Sequence, residues 1–361
     1  MLNKKSLMVF VGMLMLTMFL VACGGGNNNT GGNNDGGNAG GGDGDTINLR
    51  FAHEEGQGDV QDLYANKFKE IIEEKSGGDI TVDVYTAGQL GSNMDVLQSL
   101  QTGAIEIAIT SPGFSGDVIT ESQIMAIPFL FSDNLEVNKK VLNESEALYG
   151  PLADKYEEKG LTPFKFWLEG FMYWTANKEV TTEDDMKGLK IRTMPTSLII
   201  KSYELMGANP TPTDSGEIYT MLQTKGIDAQ ENPLFYIVNS NFLEVQDYLM
   251  DSKHHIYTTV TAANQDFFEG LSEEHQELIR EVVDEVNEWS FEMQDEEQKK
   301  AMEKAKEDDV EIVELTAEER EVFKELSLEA RELYKKESDA AKEIIETLEK
   351  EIEEAEAELG D

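Results

Sequence analysis

Apolar and polar positions along the chain fall into two strand–helix series followed by a charged helical end. In "TINLRFAH", Ile47, Leu49 and Phe51 alternate with polar neighbours, the period-two pattern of a strand. Val60, Leu63, Tyr64, Phe68, Ile71 and Ile72 then recur at helical spacing, and Gly77-Gly78 stops that helix. "ITVDVY" alternates again, a short helix is expected around Asp95 to Thr102, and "AIEIAIT" reads as a buried strand. Strand, helix, strand, helix, strand predicts an open α/β sheet. Ligands of such sheets bind beyond the carboxyl ends of the strands. "AHEEGQGD" and "TSPGFSGD" stand at two of those ends.

The pattern then repeats. "LTPFKFWLEG" and "YWTANKEV" bracket a region of strands, and "GLKIRTM" is a short strand. A helix follows from Ser197 to Met206, stopped by Gly207. Asp214 and Glu217 have the spacing of a capping box, Ile218, Met221 and Leu222 form an apolar face, and Gly226 closes the helix. "IDAQ" opens a strand that stops at Asn232-Pro233. The chain crosses between the two series near residue 168 and again near 257, so the predicted fold is α/β with two lobes and a cleft between them. Lobe I takes residues 46–169 with 258–297, and lobe II takes 170–257 with 298–361. A long helix opens at Ser272, "VEIVEL" is a strand, and "TAEEREVFKEL" starts a helix with a Thr cap. Ile345, Leu348, Ile352, Ala355 and Leu359 make a narrow stripe, too short for a coiled coil and expected to pack on the body.

The first residues change the picture of location. Lys4 and Lys5 precede a 16-residue apolar run ending at Ala22. That is an export signal, shorter than the ~20 residues a membrane span needs. "LVAC" resembles a bacterial lipobox, so residues 1–22 read as a lipoprotein signal peptide and Cys23 as the lipidated residue. Cys23 is the one Cys of the chain, which excludes an intrachain disulfide. Residues 23–45 continue as a Gly/Asn tether. Its "DGD" lacks the spacing and closing Glu of a calcium loop.

Charge is extreme, with 72 acidic and 30 basic residues and a net charge of −42. Such a surface repels nucleic acid. Catalytic patterns are missing: no P-loop, no H-E-x-x-H, no G-x-S-x-G and no Cys pair. His254 and His255, adjacent in an expected strand, are predicted to point to opposite faces and to make a poor joint metal site. His53 lies at a strand end, either lining a cleft or solvated in a loop. Arg192 stands out as a cation in a strand, flanked by Ile191 and Thr193. A guanidinium there either grips a ligand carboxylate through paired hydrogen bonds or forms a structural ion pair.

"MKGLKIRTM" followed by "LMGANPTPTDSGEIYTMLQTKGIDAQENP" resembles the solute-binding proteins of TRAP transporters, the C4-dicarboxylate-binding type. "QLGSNMDVLQSLQTGAIEIAI" and "AIPFLF" match the same pattern in order, and the similarity runs from Thr46 to the final helices. The resemblance implies a two-lobed periplasmic-binding-protein-like fold, a long helix crossing both lobes, and capture of an organic acid by lobe closure. It implies delivery to TRAP membrane permease subunits driven by an ion gradient, with no cofactor and no catalytic residue. Arg192 then holds the ligand carboxylate, and Asn232, kept extended by Pro233, offers a side-chain amide. Glu54, Ser111, Met172 and Trp174 are also expected to face the cleft.

One departure matters. Members often carry "G-F-R" where this chain has Gly170-Phe171-Met172. Met172 cannot donate a hydrogen bond, which favours a sugar acid or oxo acid over a dicarboxylate gripped at both ends. Rival readings are a sensor subunit for a membrane signalling protein and, disfavoured by the missing nucleophile, an α/β hydrolase.

The acidic surface generates a first prediction. Self-repulsion relaxes when salt screens it. The thermal midpoint is expected to rise between dilute buffer and molar NaCl, and a flat calorimetric response would rule out adaptation to a saline medium.

Overall fold

One long strand carries a single ten-stranded sheet system from one half of the molecule into the other. The computed structural model describes residues 46–360; the signal segment, Cys23 and the whole tether lie outside the described residues. Lobe I begins with β1 (Ile47–Ala52), α1 (Val60–Lys75), β2 (Ile80–Tyr85), α2 (Asn93–Gln101) and β3 (Ile107–Thr110). β1 pairs in parallel with both β2 and β3, as right-handed crossovers through α1 and α2 allow. α2 starts on a capping box between Ser92 and Asp95, two residues before the expected start. The loop after β3 carries the single turn α3 (Pro112–Ser115), and α4 (Leu135–Glu144) follows.

β4 (Leu161–Ala176) is one strand of 16 residues where the sequence pattern implies separate segments. Its first half pairs with β9 (Ile256–Asn264), and its second half pairs with β7 (Ala229–Pro233). The register slips between Leu168 and Gly170, and Gly170 takes φ +139° there. This bulge bends the strand where it leaves lobe I.

Lobe II is built on β5 (Lys190–Thr193), α5 (Ser197–Leu205), β6 (Asn209–Pro212), α6 (Ile218–Gln223), β7, α7 (Leu234–Asn239) and β8 (Tyr248–Asp251). The sheet runs β2-β1-β3-β9-β4-β7-β5-β6. Before α6 the expected capping box does not form. Asp214 Oδ1 reaches the Gly216 amide instead, and Ser215–Glu217 makes a 3-10 turn.

α8 (Glu273–Glu307) is the long helix, 35 residues opened by Ser272 Oγ accepting from the His275 amide. It packs on α1 in lobe I and on α7 in lobe II. Its apolar residues Ile279, Val282, Val283 and Val286 join a core with Tyr64, Phe68 and Trp167. The Tyr64 and Trp167 rings stack there at 4.6 Å. β10 (Glu311–Glu314) pairs with β8, and α9 (Ala317–Tyr334) packs on α5.

One expected grouping changes. α10 (Asp339–Leu359), assigned with lobe II, packs on lobe I against α4. Ile344, Ile345, Leu348, Ile352 and Ala355 bury into the cluster of Leu100, Val137 and Leu142. The narrow stripe does pack on the body, but its apolar partners are supplied by the first lobe. Among the described residues no helix is long and apolar enough to cross a membrane.

The bend in β4 predicts the cost of replacing its glycine. A Cβ at Gly170 meets nothing closer than Gln298 Oε1 at 3.9 Å, so the backbone conformation alone opposes substitution. Gly170→Ala is expected to lower unfolding free energy by about 1–3 kcal/mol, read by chemical denaturation.

Candidate functional site

A small closed chamber lies where the ends of β1, β3, β5 and β7 meet. Its cavity volume is about 20 Å³, and it is walled by Glu54, Phe114, Arg192, Asn232, Tyr236 and Tyr257 among others. A wider mouth of about 690 Å³ adjoins it, rimmed by Gly56, Gly88 and Gly91 on one side and Asp214 and Gly216 on the other. Ser215 and Tyr236 line both spaces.

Arg192 is only 1% exposed. Its Nε and Nη2 both donate to the Thr213 carbonyl, at 3.0 and 2.8 Å. No carboxylate oxygen lies within 4.0 Å of it among the described residues. The structural ion pair that the sequence left open is therefore absent there. Burial pulls its pKa down, and the nearby tyrosines and Glu231 oppose that pull. The Phe114 ring lies 5.9 Å from the guanidinium carbon.

Acids form the opposite wall. Glu54 Oε2 accepts from the Ser111 amide at 3.1 Å. Burial pushes the Glu54 carboxyl up to about 8. Behind it, Gln61 bridges two further acids. Its amide N–H donates to Glu55 and its Nε2 donates to Glu169, both at 2.9 Å. Burial raises both carboxyls, and the two share the space of one charge.

Asn232 ends a chain of side-chain hydrogen bonds whose polarity is fixed at its far end. Gln246 Nε2 donates to the Val245 carbonyl, so its Oε1 must accept from Thr175 Oγ1. Thr175 Oγ1 in turn accepts from Gln230 Nε2, and Gln230 Oε1 accepts from Asn232 Nδ2. One of the two Asn232 Nδ2 hydrogens is thereby used, which fixes the amide's orientation, and its Oδ1 remains an acceptor of this chamber-lining side chain.

Other expected positions fall elsewhere. Ser111 stands behind the wall and reaches the site through its backbone. Met172 and Trp174 are buried in the lobe II core with Ile191 and Phe323, and neither lines the chamber. Strand alternation is the reason. Tyr173 pairs with Asn232 on one face of the sheet, which turns Met172 and Trp174 to the other. Met172 therefore does not stand in for the missing Arg at the ligand. Trp174 donates to Tyr203 Oη at 2.8 Å and stacks on His254 at 4.6 Å.

The histidines are also corrected. His254 and His255 sit in the turn between β8 and β9, after Lys253 at φ +42°, and not in a strand. Both rings turn to the same Glu231 oxygen, at 2.8 and 3.3 Å. The three side chains bring ligand-capable atoms within 4.8 Å of one another. Tyr203 Oη donates to that oxygen at 2.5 Å, so these are hydrogen-bonding separations. Burial lowers His254 to about 4, and hydrogen bonds from both rings hold Glu231 well below the usual range against its burial. His53 neither lines the cleft nor meets solvent. It is buried, accepts from the Glu55 amide through Nδ1, and faces Asp62 through Nε2.

Phe114, Tyr236 and Tyr257 were not singled out by sequence. Phe114 belongs to "TSPGFSGD", one of the two strand-end tails, so position was legible though the ring's role was not.

Residues 51–353 match the family model of bacterial extracellular solute-binding proteins, family 7 (DctP). The chain belongs to this family. It is an extracytoplasmic solute-binding protein of the TRAP transporter type. The ectoine-binding periplasmic protein TeaA of Halomonas elongata is 42% identical over 234 residues, 65% of this chain and 68% of TeaA. UehA of Ruegeria pomeroyi, an ectoine/5-hydroxyectoine-binding protein, is 37% identical over 64% of this chain and 68% of its own. The solved structure of the Halomonas protein superposes with a TM-score of 0.82 at 36% identity, covering 85% of this chain and 99% of that one. A TRAP solute-binding protein from Desulfovibrio salexigens with bound orotic acid gives 0.82 at 26% identity, over 86% and 99%. The two-lobed architecture of the family is thus the fold of this chain.

The acid wall yields a pH prediction. Glu54, Glu55 and Glu169 have folded pKa values above the ordinary 4.5, so the folded state holds protons that the unfolded chain releases. The stability they contribute is full below about pH 4.5 and is lost as pH rises towards about 8. The melting temperature of the ligand-free protein is expected to fall across that window. In Glu169→Gln the fall should be shallower, which separates the wall from the general surface charge.

Proposed function

We propose that this protein captures a compact zwitterionic organic acid of the ectoine type. The ligand's carboxylate pairs with Arg192, and its N–H donors meet Glu54 and the Asn232 oxygen. The observation that carries this reading is the buried Arg192 guanidinium with no carboxylate partner among the described residues, set opposite buried acceptors. A cation without a counter-charge is costly to bury, and a ligand carboxylate removes that cost. Acceptors on the other wall ask for donors, which a dicarboxylate lacks. The aromatic rings of Phe114, Tyr236 and Tyr257 suit a flat, delocalised cation. The ectoine-binding relatives support the same class.

In this reading the lobes close on the ligand, and a TRAP permease receives it from the closed receptor without chemical change. Lipid on Cys23 holds the body to the outer face of the membrane through the tether of residues 23–45.

Calorimetric titration tests the proposal, with ectoine, succinate and galactonate as ligands. Ectoine is expected to bind with 1:1 stoichiometry and more tightly than either acid. Arg192→Ala should cost about 2–5 kcal/mol of binding. If succinate binds more tightly than ectoine, the zwitterion assignment fails. If Arg192→Ala binds as tightly as the parent, the carboxylate anchor fails too.

A further inference from the structure

The helix that follows Arg192 has an N-terminus capped from the other lobe. α5 begins at Ser197, and its own cap residue, Thr196, makes no side-chain hydrogen bond to the helix. Thr196 Oγ1 is buried without a partner. The first amides are satisfied across the cleft instead. Asp117 Oδ1 accepts from the Ser197 amide at 3.1 Å and from Ser197 Oγ at 2.9 Å. Gln123 Oε1 accepts from the Leu198 amide at 2.8 Å. Gln123 is oriented for this by its Nε2, which donates to the Gly116 carbonyl at 2.9 Å. Asp117 and Gln123 follow α3 in lobe I, whereas Ser197 and Leu198 follow β5 in lobe II.

The surfaces beside these bonds meet without room for a side chain. A Cβ on Gly113 would lie 2.0 Å from Met194 Sδ, and one on Gly116 would lie 2.7 Å from Thr196 Cγ2. Between them Phe114 reaches the Arg192 guanidinium. Cap, glycine contact and ligand anchor therefore occupy one stretch, Arg192 to Leu198, pressed against residues 113–123.

We infer that Asp117 and Gln123 are positioning residues for ligand capture: they form a cross-lobe helix cap that latches the closed state over Arg192. Separation of the lobes leaves the Ser197 and Leu198 amides to water, so the cap favours closure by its own free energy. The dipole of α5 adds to the attraction for the Asp117 charge. A ligand that binds the open cleft meets the latch only after closing, so the latch acts on escape and not on entry. The inference rests on lobe closure, not on the identity of the ligand.

Two measurements on the full chain test it. In stopped-flow fluorescence with ectoine, Asp117→Ala is expected to raise the dissociation rate roughly 2- to 30-fold, the range of a lost helix cap, with the association rate unchanged. Asp117→Asn, which keeps the acceptor oxygen, should restore most of the slow dissociation. Hydrogen–deuterium exchange of the ligand-free protein should show faster exchange at Ser197 and Leu198 in Asp117→Ala and Gln123→Ala. If ectoine does not bind the parent, the ligand assignment fails alone and this exchange result decides the latch. Unchanged exchange at those amides, or a fall in association rate with dissociation unaltered, would overturn the latch.

Discussion

The buried guanidinium of Arg192 is the constraint on which the site depends. A charge withdrawn from water is tolerated where a partner compensates it, and here the described residues supply one carbonyl oxygen and no carboxylate. In a chain with 42 more acidic than basic charges, a carboxylate would be easy to place beside it. The acids that act on it are Glu231, held by two histidines on the other face of the sheet, and Asp214 at the mouth. The carboxyls of the opposite wall are held high in pKa, which favours their neutral form. An uncompensated positive charge is thus a property of the site before any ligand arrives, and a ligand carboxylate meets a group already in place.

Polarity reaches the chamber through networks, not through single side chains. The amide of Asn232 is oriented by a relay that ends on the Val245 carbonyl, and Gln123 is oriented by the Gly116 carbonyl. Gln61 holds two carboxyls, Glu55 through its backbone N–H and Glu169 through its side chain. On the far face of the sheet, Glu231 gathers Tyr203, His254 and His255, with Trp174 packed over them. These groups do not line the chamber, yet they hold β4, β7 and the turn before β9 in one arrangement. A change in that cluster acts on the geometry of Asn232 from behind.

The legibility of the molecule in its sequence divides by scale. Period-two and helical patterns located β1, α1, β2 and the long α8, because those segments have one buried face and one exposed face. The string from Gly207 to Pro233 identified the family. Arg192, Asn232 and Glu54 came to the chamber because strand ends carry them there. Met172 and Trp174 did not, since which face of β4 looks inward depends on its pairing with β7 and on the bulge at Gly170, and neither is visible in β4 alone. His254 and His255 look like strand residues until Lys253 takes a positive φ and ends the strand. α10 went to the wrong lobe because a stripe specifies that a face is buried, not what buries it.

β4 runs unbroken from one lobe into the other, pairing first with β9 and then with β7, and α8 lies along both lobes. Continuous hydrogen-bonded strands bend more readily than they slide, so relative motion of the lobes is confined close to a single rotation. A body with one rotational freedom has one aperture. The mouth beside Gly56, Gly88 and Gly216 is the opening that the described surface offers to the chamber. Arrival and departure of a solute then share a doorway, and the direction of travel has to be imposed by whatever stands outside it.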